Sequence, residues 1–304
     1  MNINKKLSDL NIKNDNHILR VMTEHTGPFK TLIEVLKELL PEAILEFIEK
    51  NSDYEEEGSD KKKKGGLKIM AIDSTRTVLI YLKLDWDNFT EYTCKRSKLA
   101  LGVNMTYFHK LIKSMEKDDH LTLFVKNDDI NHLNIRIENP EKKSITNFTM
   151  NLMDLDEQRL KIPPTTFDAR IVMSSSEFHR YTREMYAIAE YVEIKCTNDQ
   201  LIFTCKGDYA SRETILRESE NSINVQFSSN EQDVLIVQGI YELKHLVLFA
   251  KCQTLCNDIE IYMKNNYPLV IKYTVATLGR LLLCLTPIRK KAEDEESYSD
   301  SDSD

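Results

Sequence analysis

Four short amphipathic segments, each followed by alternating strand patterns, recur along this chain, and that recurrence limits the fold more than any other feature. The first opens at Thr26-Gly27-Pro28, where a proline just inside a helix start loses nothing by lacking an N–H. It carries Phe29, Leu32, Ile33, Leu36, Leu39 and Leu40 at helical spacing until Pro41 stops it. The second, GVNMTYFHKLIKSMEKDD, has a stripe of Phe108, Leu111, Ile112 and Met115. The third, SSSEFHRYTREMYAIAE, starts on serines, with Glu177 spaced to close a capping box on Ser174, and points Phe178, Tyr181, Thr182 and Met185 inward. The fourth, ELKHLVLFAKCQTL, turns Leu243, Leu246 and Ala250 inward.

Strand patterns separate these helices: AILEFIEK, LKIMAID, TVLIYLKL, FTEYTCK, HLTLFVK, HLNIRIEN and SITNFTMNLMD in the first half, and TTFDARIVM, YVEIKC, LIFTCKG, ETILRES, INVQFSS, VLIVQGIY, DIEIYMKN, LVIKYTVA and RLLLCLTPI in the second. The order of elements is the same in both halves. The expected fold is therefore α+β, with two duplicated domains that each hold antiparallel sheets and two helices. Residues 1–16 are expected to be a flexible extension, 17–150 the first domain, 151–164 a connector, 165–288 the second domain and 289–304 an acidic disordered tail. Within the first domain, NSDYEEEGSDKKKKGG at 51–66 is expected to be a solvated, disordered insertion, since it has almost no apolar surface to offset the cost of ordering. In the connector the apolar Met153, Leu155, Leu160 and Ile162 are interleaved with Asp154, Asp156 and Glu157, and Pro163-Pro164 stops any strand or helix from continuing.

Charge is the next constraint. The 304 residues carry a formal net charge of −8, which by itself argues against a general nucleic-acid coat. Yet every helix directs cations away from its apolar stripe: Lys30 and Lys37, Lys110 and Lys113, Arg180 and Arg183, Lys244 and Lys251. Any one such face is an ordinary solvated surface. Four of them on an acidic chain predict a segregated positive surface suited to phosphate backbones, without base readout. No helix carries the Asn, Gln and Arg cluster that reads base edges.

Other classes of function find little support. There is no apolar run of the roughly 18–20 residues that a membrane helix requires, and the first residues hold no secretory apolar core. The six cysteines form no zinc spacing and are expected to be free thiols in a reducing compartment. Glycine-rich phosphate loops, nucleophile elbows and HExxH motifs are lacking. Asp154 and Asp156 are a carboxylate pair that would suit Mg²⁺ in a nuclease, but they have no third ligand in the sequence, so neither catalytic residues nor a metal or cofactor is expected.

Four motifs, LALGVNMTYFHKLIK (99–113), LMDLDEQRLKIP (152–163), MSSSEF (173–178) and PLVIKYTVATLGRLLLCLTPI (268–288), occur in the order found in sliding clamps, and from about Ile18 to Ile288 the chain resembles the proliferating cell nuclear antigen (PCNA) family. The resemblance implies three copies closed head-to-tail into a ring around duplex DNA, with helices lining the hole. It also implies a processivity factor, without activity as an enzyme, that tethers DNA polymerase and other proteins bearing short clamp-binding motifs and is opened by a clamp loader. By the same resemblance the eight helix cations line the hole, and the DNA-binding segment Thr93–Lys113 adds Lys95, Arg96 and Lys98. The implied partner pocket uses Ile72, Leu79, Leu160, Ile162, Pro163, Pro268, Thr286, Pro287 and Ile288, and the subunit joint pairs Ser144–Met150 with Thr214–Glu218. Departures from the family pattern are Asn198 at the lysine modified by ubiquitin, Lys161 at a frequent glycine and Cys284 at an aromatic of the pocket rim. A subunit of a heterotrimeric checkpoint-type clamp is the alternative within the fold. The implied location is the nucleus, or a cytoplasmic replication site for a viral protein.

Overall fold

In the computed structural model, which describes residues 16–50, 65–73, 75–156, 165–219, 222–228 and 236–288, the alternating segments pair into antiparallel sheets backed by helices. The described residues group into two units. One holds the chain up to residue 165 with residues 254–256 and 272–282, and the other holds the remainder.

The first unit runs β1 (His17–Thr23), α1 (Thr26–Leu39), β2 (Glu42–Ile48), β3 (Gly66–Ile72), β4 (Val78–Asp85), β5 (Glu91–Cys94), β6 (Lys98–Asn104), α2 (Met105–Ile112), β7 (His120–Lys126), β8 (Asp129–Asn139) and β9 (Ser144–Asn151). The second half of the chain runs β10 (Ala169–Ser174), α3 (Ser175–Tyr186), β11 (Tyr191–Cys196), β12 (Gln200–Lys206), β13 (Ser211–Arg217), β14 (Ile223–Phe227), β15 (Val237–Glu242), α4 (Leu243–Ala250), β16 (Asp258–Met263), β17 (Leu269–Val275) and β18 (Gly279–Leu285). Strand orders match position for position between the two halves of the chain: β5-β1-β7-β8-β9 and β4-β3-β2-β6 in the first half, β14-β10-β16-β17-β18 and β13-β12-β11-β15 in the second. This is the internal duplication expected from the sequence.

The helices repeat as closely as the sheets. The fourth residue of each, Phe29, Phe108, Phe178 and Leu246, is fully buried. Phe29 and Phe108 meet edge to face, 6.4 Å between centroids, where α1 packs on α2. The first helix of each unit begins on a buried hydroxyl, Thr26 or Ser175, that donates to carbonyls just beyond the second helix: Glu116 and Lys117 O at 3.0 Å each, and Gln253 and Asn257 O at 3.2 and 2.9 Å. These bonds join two helices that are distant in sequence and satisfy carbonyls that would otherwise lack donors.

Several local expectations are corrected. The second helix is shorter than its pattern: α2 ends at Ile112, and the buried Asp119 carboxylate draws in the Glu116 N–H (2.7 Å) and Asn139 Nδ2 (2.7 Å), holding a turn where helix was expected. Likewise α4 stops at Ala250 and tightens into a 3-10 turn over Lys251–Thr254. The capping box at Ser174 does not form, because Arg180 Nη2 (2.9 Å) and the Tyr181 hydroxyl (3.2 Å) take the Glu177 carboxylate. Asn104 is the side chain that does cap, accepting Tyr107 N–H at 3.0 Å. Two strands lie outside the expectation. β1 lies between β5 and β7 and alternates only from Leu19 to Thr23, and β6 runs straight into α2 through its capping residue Asn104.

The last residue of the expected insertion is strand. Gly66 belongs to β3, paired with Ile48 and Asp85, and a Cβ there would meet Leu84 O at 2.1 Å with φ at +118°. The buried Tyr92 hydroxyl, 2.8 Å from Ile48 O and 2.9 Å from Gly66 O, closes the base of this hairpin. Residues 51–64, the first fifteen residues and the tail from 289 lie outside the described residues. All six cysteines are free, and burial pushes the thiols of Cys196 and Cys284 up to about 12.

Beyond β9 the connector turns back onto the edge of β6, where Met153 N–H donates to Gly102 O at 2.8 Å. The duplicated position in the second unit is Ile288 N–H donating to Ile240 O on β15, also at 2.8 Å. Each unit therefore ends by pinning its outgoing chain to the strand that feeds its second helix. Gly102 permits the close approach, since a Cβ would sit 2.2 Å from Met153 O and 3.1 Å from Leu155 Cγ. We expect Gly102→Val to free the Met153 amide, raising its hydrogen exchange at least roughly tenfold while β2–β6 pairing stays protected; unchanged Met153 exchange would show that the glycine is not what holds the connector.

Candidate nucleic-acid interface and docking surfaces

In the first unit, α1 and α2 pack side by side and α2 lies on β2 and β6. Their outer residues include the predicted cations, but these are not equivalent. Lys110 and Lys113 are exposed, and the Lys110 ammonium sits 5.1 Å from the centre of the exposed Tyr107 ring. Lys37 is half-buried beside Glu38 (3.3 Å), and Lys30 is spent on backbone carbonyls, at 2.8 Å from Met115 O and 3.3 Å from Lys113 O. On the strand side, Lys95 and Arg96 are exposed in the β5–β6 turn, whereas Lys98 is tied to Glu46 at 2.7 Å.

In the second unit, α3 and α4 form the corresponding pair. Arg183 and Lys251 are exposed; Arg180 is held by Glu177 at 2.9 Å and Lys244 by Glu242 at 2.5 Å. Counted from its own first residue, the ninth position is Lys113, Arg183 and Lys251 in three of the helical segments and Glu34 in α1. This repeat register, which only an alignment of the four helices with one another reveals, singles out those three cations. Exposed carboxylate pairs of this kind are weak in water and rearrange readily, so Arg180 and Lys244 remain available to a stronger anion.

Two histidines follow the buried phenylalanines in the same register, His109 after Phe108 and His179 after Phe178. Both are half-buried and are held below the ordinary imidazole value. For His109 the causes are burial first, then Lys37, with Glu34 opposing; for His179 they are burial and Arg183. The imidazoles lie among cations, so an arriving phosphate would favour their protonated form.

The predicted partner-binding residues fall in separate places. Ile72 on β3 and Leu79 on β4 are direct cross-strand partners, both half-buried, on the first unit's sheet. At the turn between them Asp73 accepts the Thr77 and Val78 amides at 2.8 Å and the Thr75 hydroxyl. Burial would raise this carboxyl, but those bonds outweigh it and hold it below the usual range. Pro268 and Pro287 are half-buried and Thr286 and Ile288 exposed in the second unit. Leu160, Ile162 and Pro163 lie outside the described residues. Asp154 and Asp156 are on the described start of the connector, and among the described residues no three His, Cys, Asp or Glu side chains gather as a metal site would require.

Two sheet edges complete the surface. β9 ends the five-stranded sheet of the first unit and β13 ends the four-stranded sheet of the second. Both carry mostly exposed side chains, among them Ile145 at 49% and Ile215 at 47% exposure. Such edges present unpaired backbone groups together with apolar surface.

Comparison with known proteins accounts for this arrangement. The N-terminal domain of proliferating cell nuclear antigen matches residues 18–159, and its C-terminal domain matches residues 161–288. A protein of Paramecium bursaria Chlorella virus 1 named probable DNA polymerase sliding clamp 1 is 32% identical, covering 90% of this chain and 98% of its own length. The proliferating cell nuclear antigen of Chaetomium thermophilum is 30% identical, covering 91% of this chain and 100% of its own. The probable DNA polymerase sliding clamp of Acanthamoeba polyphaga mimivirus is also 30% identical over 93% of this chain, which spans 65% of that longer protein. With both domains matched in order, on a duplicated fold whose strand orders agree unit for unit, the chain belongs to the proliferating cell nuclear antigen family.

Proposed function

We propose that this chain is a DNA sliding clamp: a ring of three identical copies that encircles duplex DNA without reading its sequence and tethers the replicative DNA polymerase. The observation that carries this reading is the repeated helix pair, which bears exposed cations in both units of an otherwise acidic chain. Lining a ring, that pattern gives a phosphate-attracting hole inside a body that repels nucleic acid elsewhere. The names of the viral and fungal relatives point the same way. In this reading the exposed Lys95, Arg96, Lys110, Lys113, Arg183 and Lys251 meet phosphate first, with Arg180 and Lys244 exchanging their carboxylates for DNA.

The joint between copies is β9 of one copy against β13 of the next, a head-to-tail contact that repeats until the ring closes and leaves no exposed edge. Ile145 and Ile215 support it, since each leaves apolar surface in water on an edge that could pair. Partner proteins dock through short motifs on Ile72 and Leu79, the connector residues Leu160, Ile162 and Pro163, and Pro268, Thr286, Pro287 and Ile288. A separate loader opens the ring. The clamp has no catalytic role of its own, and it acts where replication takes place, in the nucleus or at a cytoplasmic viral site.

Three outcomes are expected. Reversing charge at Lys110 and Lys251 together should flatten the dependence of log affinity on log salt by about 0.9 for each phosphate that is no longer neutralised. It should also cut polymerase processivity on circular DNA while leaving the assembly mass unchanged; unaltered processivity would refute the DNA-facing assignment. Ile145→Lys should convert an assembly of three 35.4 kDa chains into single chains by light scattering, while the monomer keeps its circular dichroism spectrum. A mass that stays at three copies would place the joint elsewhere. Polar replacement of Leu160 and Ile162 should abolish binding of clamp-binding peptides without changing that mass, and peptide affinity equal to the parent chain's would remove the connector from the pocket.

A further inference from the structure

Lys30 differs from the other helix cations of the first unit in where its charge goes. Its ammonium donates to Met115 O at 2.8 Å and Lys113 O at 3.3 Å, carbonyls at and just past the end of α2. Thr26, one turn earlier on the same face of α1, donates to the next two carbonyls, Glu116 and Lys117 O. Four successive or near-successive carbonyls of one exit segment are thus held by two side chains of a helix about ninety residues away. In the second unit Ser175 repeats the hydroxyl bonds, but the residue matching Lys30 is His179. The ammonium is an addition to the shared latch.

Its placement has an electrostatic consequence. The last carbonyls of a helix have no intrahelical donor, and the helix dipole puts about half a negative charge there. In α2 that end coincides with Lys113, the exposed cation at the C-cap. Left uncompensated, the carbonyl cluster would repel the same phosphate that Lys113 attracts. Lys30 places a full positive charge against it and fixes the segment's geometry at once.

We propose that Lys30 is a positioning residue and not a phosphate ligand: it clamps and neutralises the C-terminal end of α2 so that Lys110 and Lys113 can engage a DNA backbone. This inference rests on the clamp reading, and the experiment separates the two. Affinity of the full-length chain for a short duplex is measured by fluorescence anisotropy across a salt series, with amide exchange followed at Lys113 and Met115. Lys113→Met should flatten the salt dependence by about 0.9, the change expected when one phosphate fewer is neutralised. Lys30→Met should weaken binding roughly threefold to tenfold at every salt concentration with that dependence unchanged, and should speed the two amides roughly tenfold. Lys30→Arg should restore both. Should the methionine variant unfold, Lys30→Gln keeps a shorter donor and should show the same pattern at smaller amplitude. A flattened salt dependence in Lys30→Met or Lys30→Gln with unchanged exchange would make Lys30 a direct ligand and overturn the proposal, as would no change in either quantity. If neither Lys110→Met nor Lys113→Met alters the salt dependence, the DNA-facing assignment itself fails and the positioning role falls with it, whatever the exchange rates show.

Discussion

The helix pair in each unit is held by a small set of buried contacts on which the surface depends. A fully buried fourth residue on each helix fixes depth, and a buried hydroxyl at the start of the first helix fixes it against the exit of the second. With those contacts in place the helices cannot rotate about their axes, and the residues left outside are decided. In α2 they are Thr106, Tyr107, Lys110 and Lys113; in α3 they are Ser176, Arg180, Arg183, Glu184 and Tyr186. A cationic face is therefore a consequence of core packing, since a helix turned by one residue would bury its charges and expose its phenylalanine.

The duplication extends beyond the elements to the way each unit ends. Met153 and Ile288 make the same backbone bond to the strand that leads into the second helix, so connector and C-terminal segment are two copies of one device. They were put to different uses. At the first copy Gly102 gives the connector room to pass close to β6, and at the second Ile240 occupies the matching position on β15. Duplicated scaffolds can diverge in this way because the backbone bond needs no particular side chain, whereas the close approach does.

Much of the fold is legible in the sequence, for reasons that can be traced to particular residues. Stripes such as Phe178, Tyr181, Thr182 and Met185 appear at helical spacing because one face of α3 is dry and the other wet. Where a strand becomes a helix without an intervening turn the boundary vanishes, as at Asn104. The ends of α2 and α4 escape the pattern because the groups that set them are remote or irregular: Asp119 and Asn139 act on α2 across a turn, and no propensity scale includes them. The candidate site is legible as a list of cations but not as a hierarchy. Spacing gives Lys30, Lys37, Lys110 and Lys113 the same standing, and only their partners distinguish them.

What the sequence by itself determined is the two-fold repeat of helices and alternating strands, the segregation of cations from an acidic background and the family to which the chain belongs. These depend on periodicity and composition, which are local properties of the chain. What the tertiary structure decided is which cations face water and which are spent. Lys98 is drawn to Glu46 and Lys30 to the carbonyls at the end of α2, while Lys110 and Lys113 are left facing water. The physical reason is that a side chain's charge is available to a ligand only after its neighbours have been satisfied, and those neighbours are brought in by packing between segments that are remote in sequence.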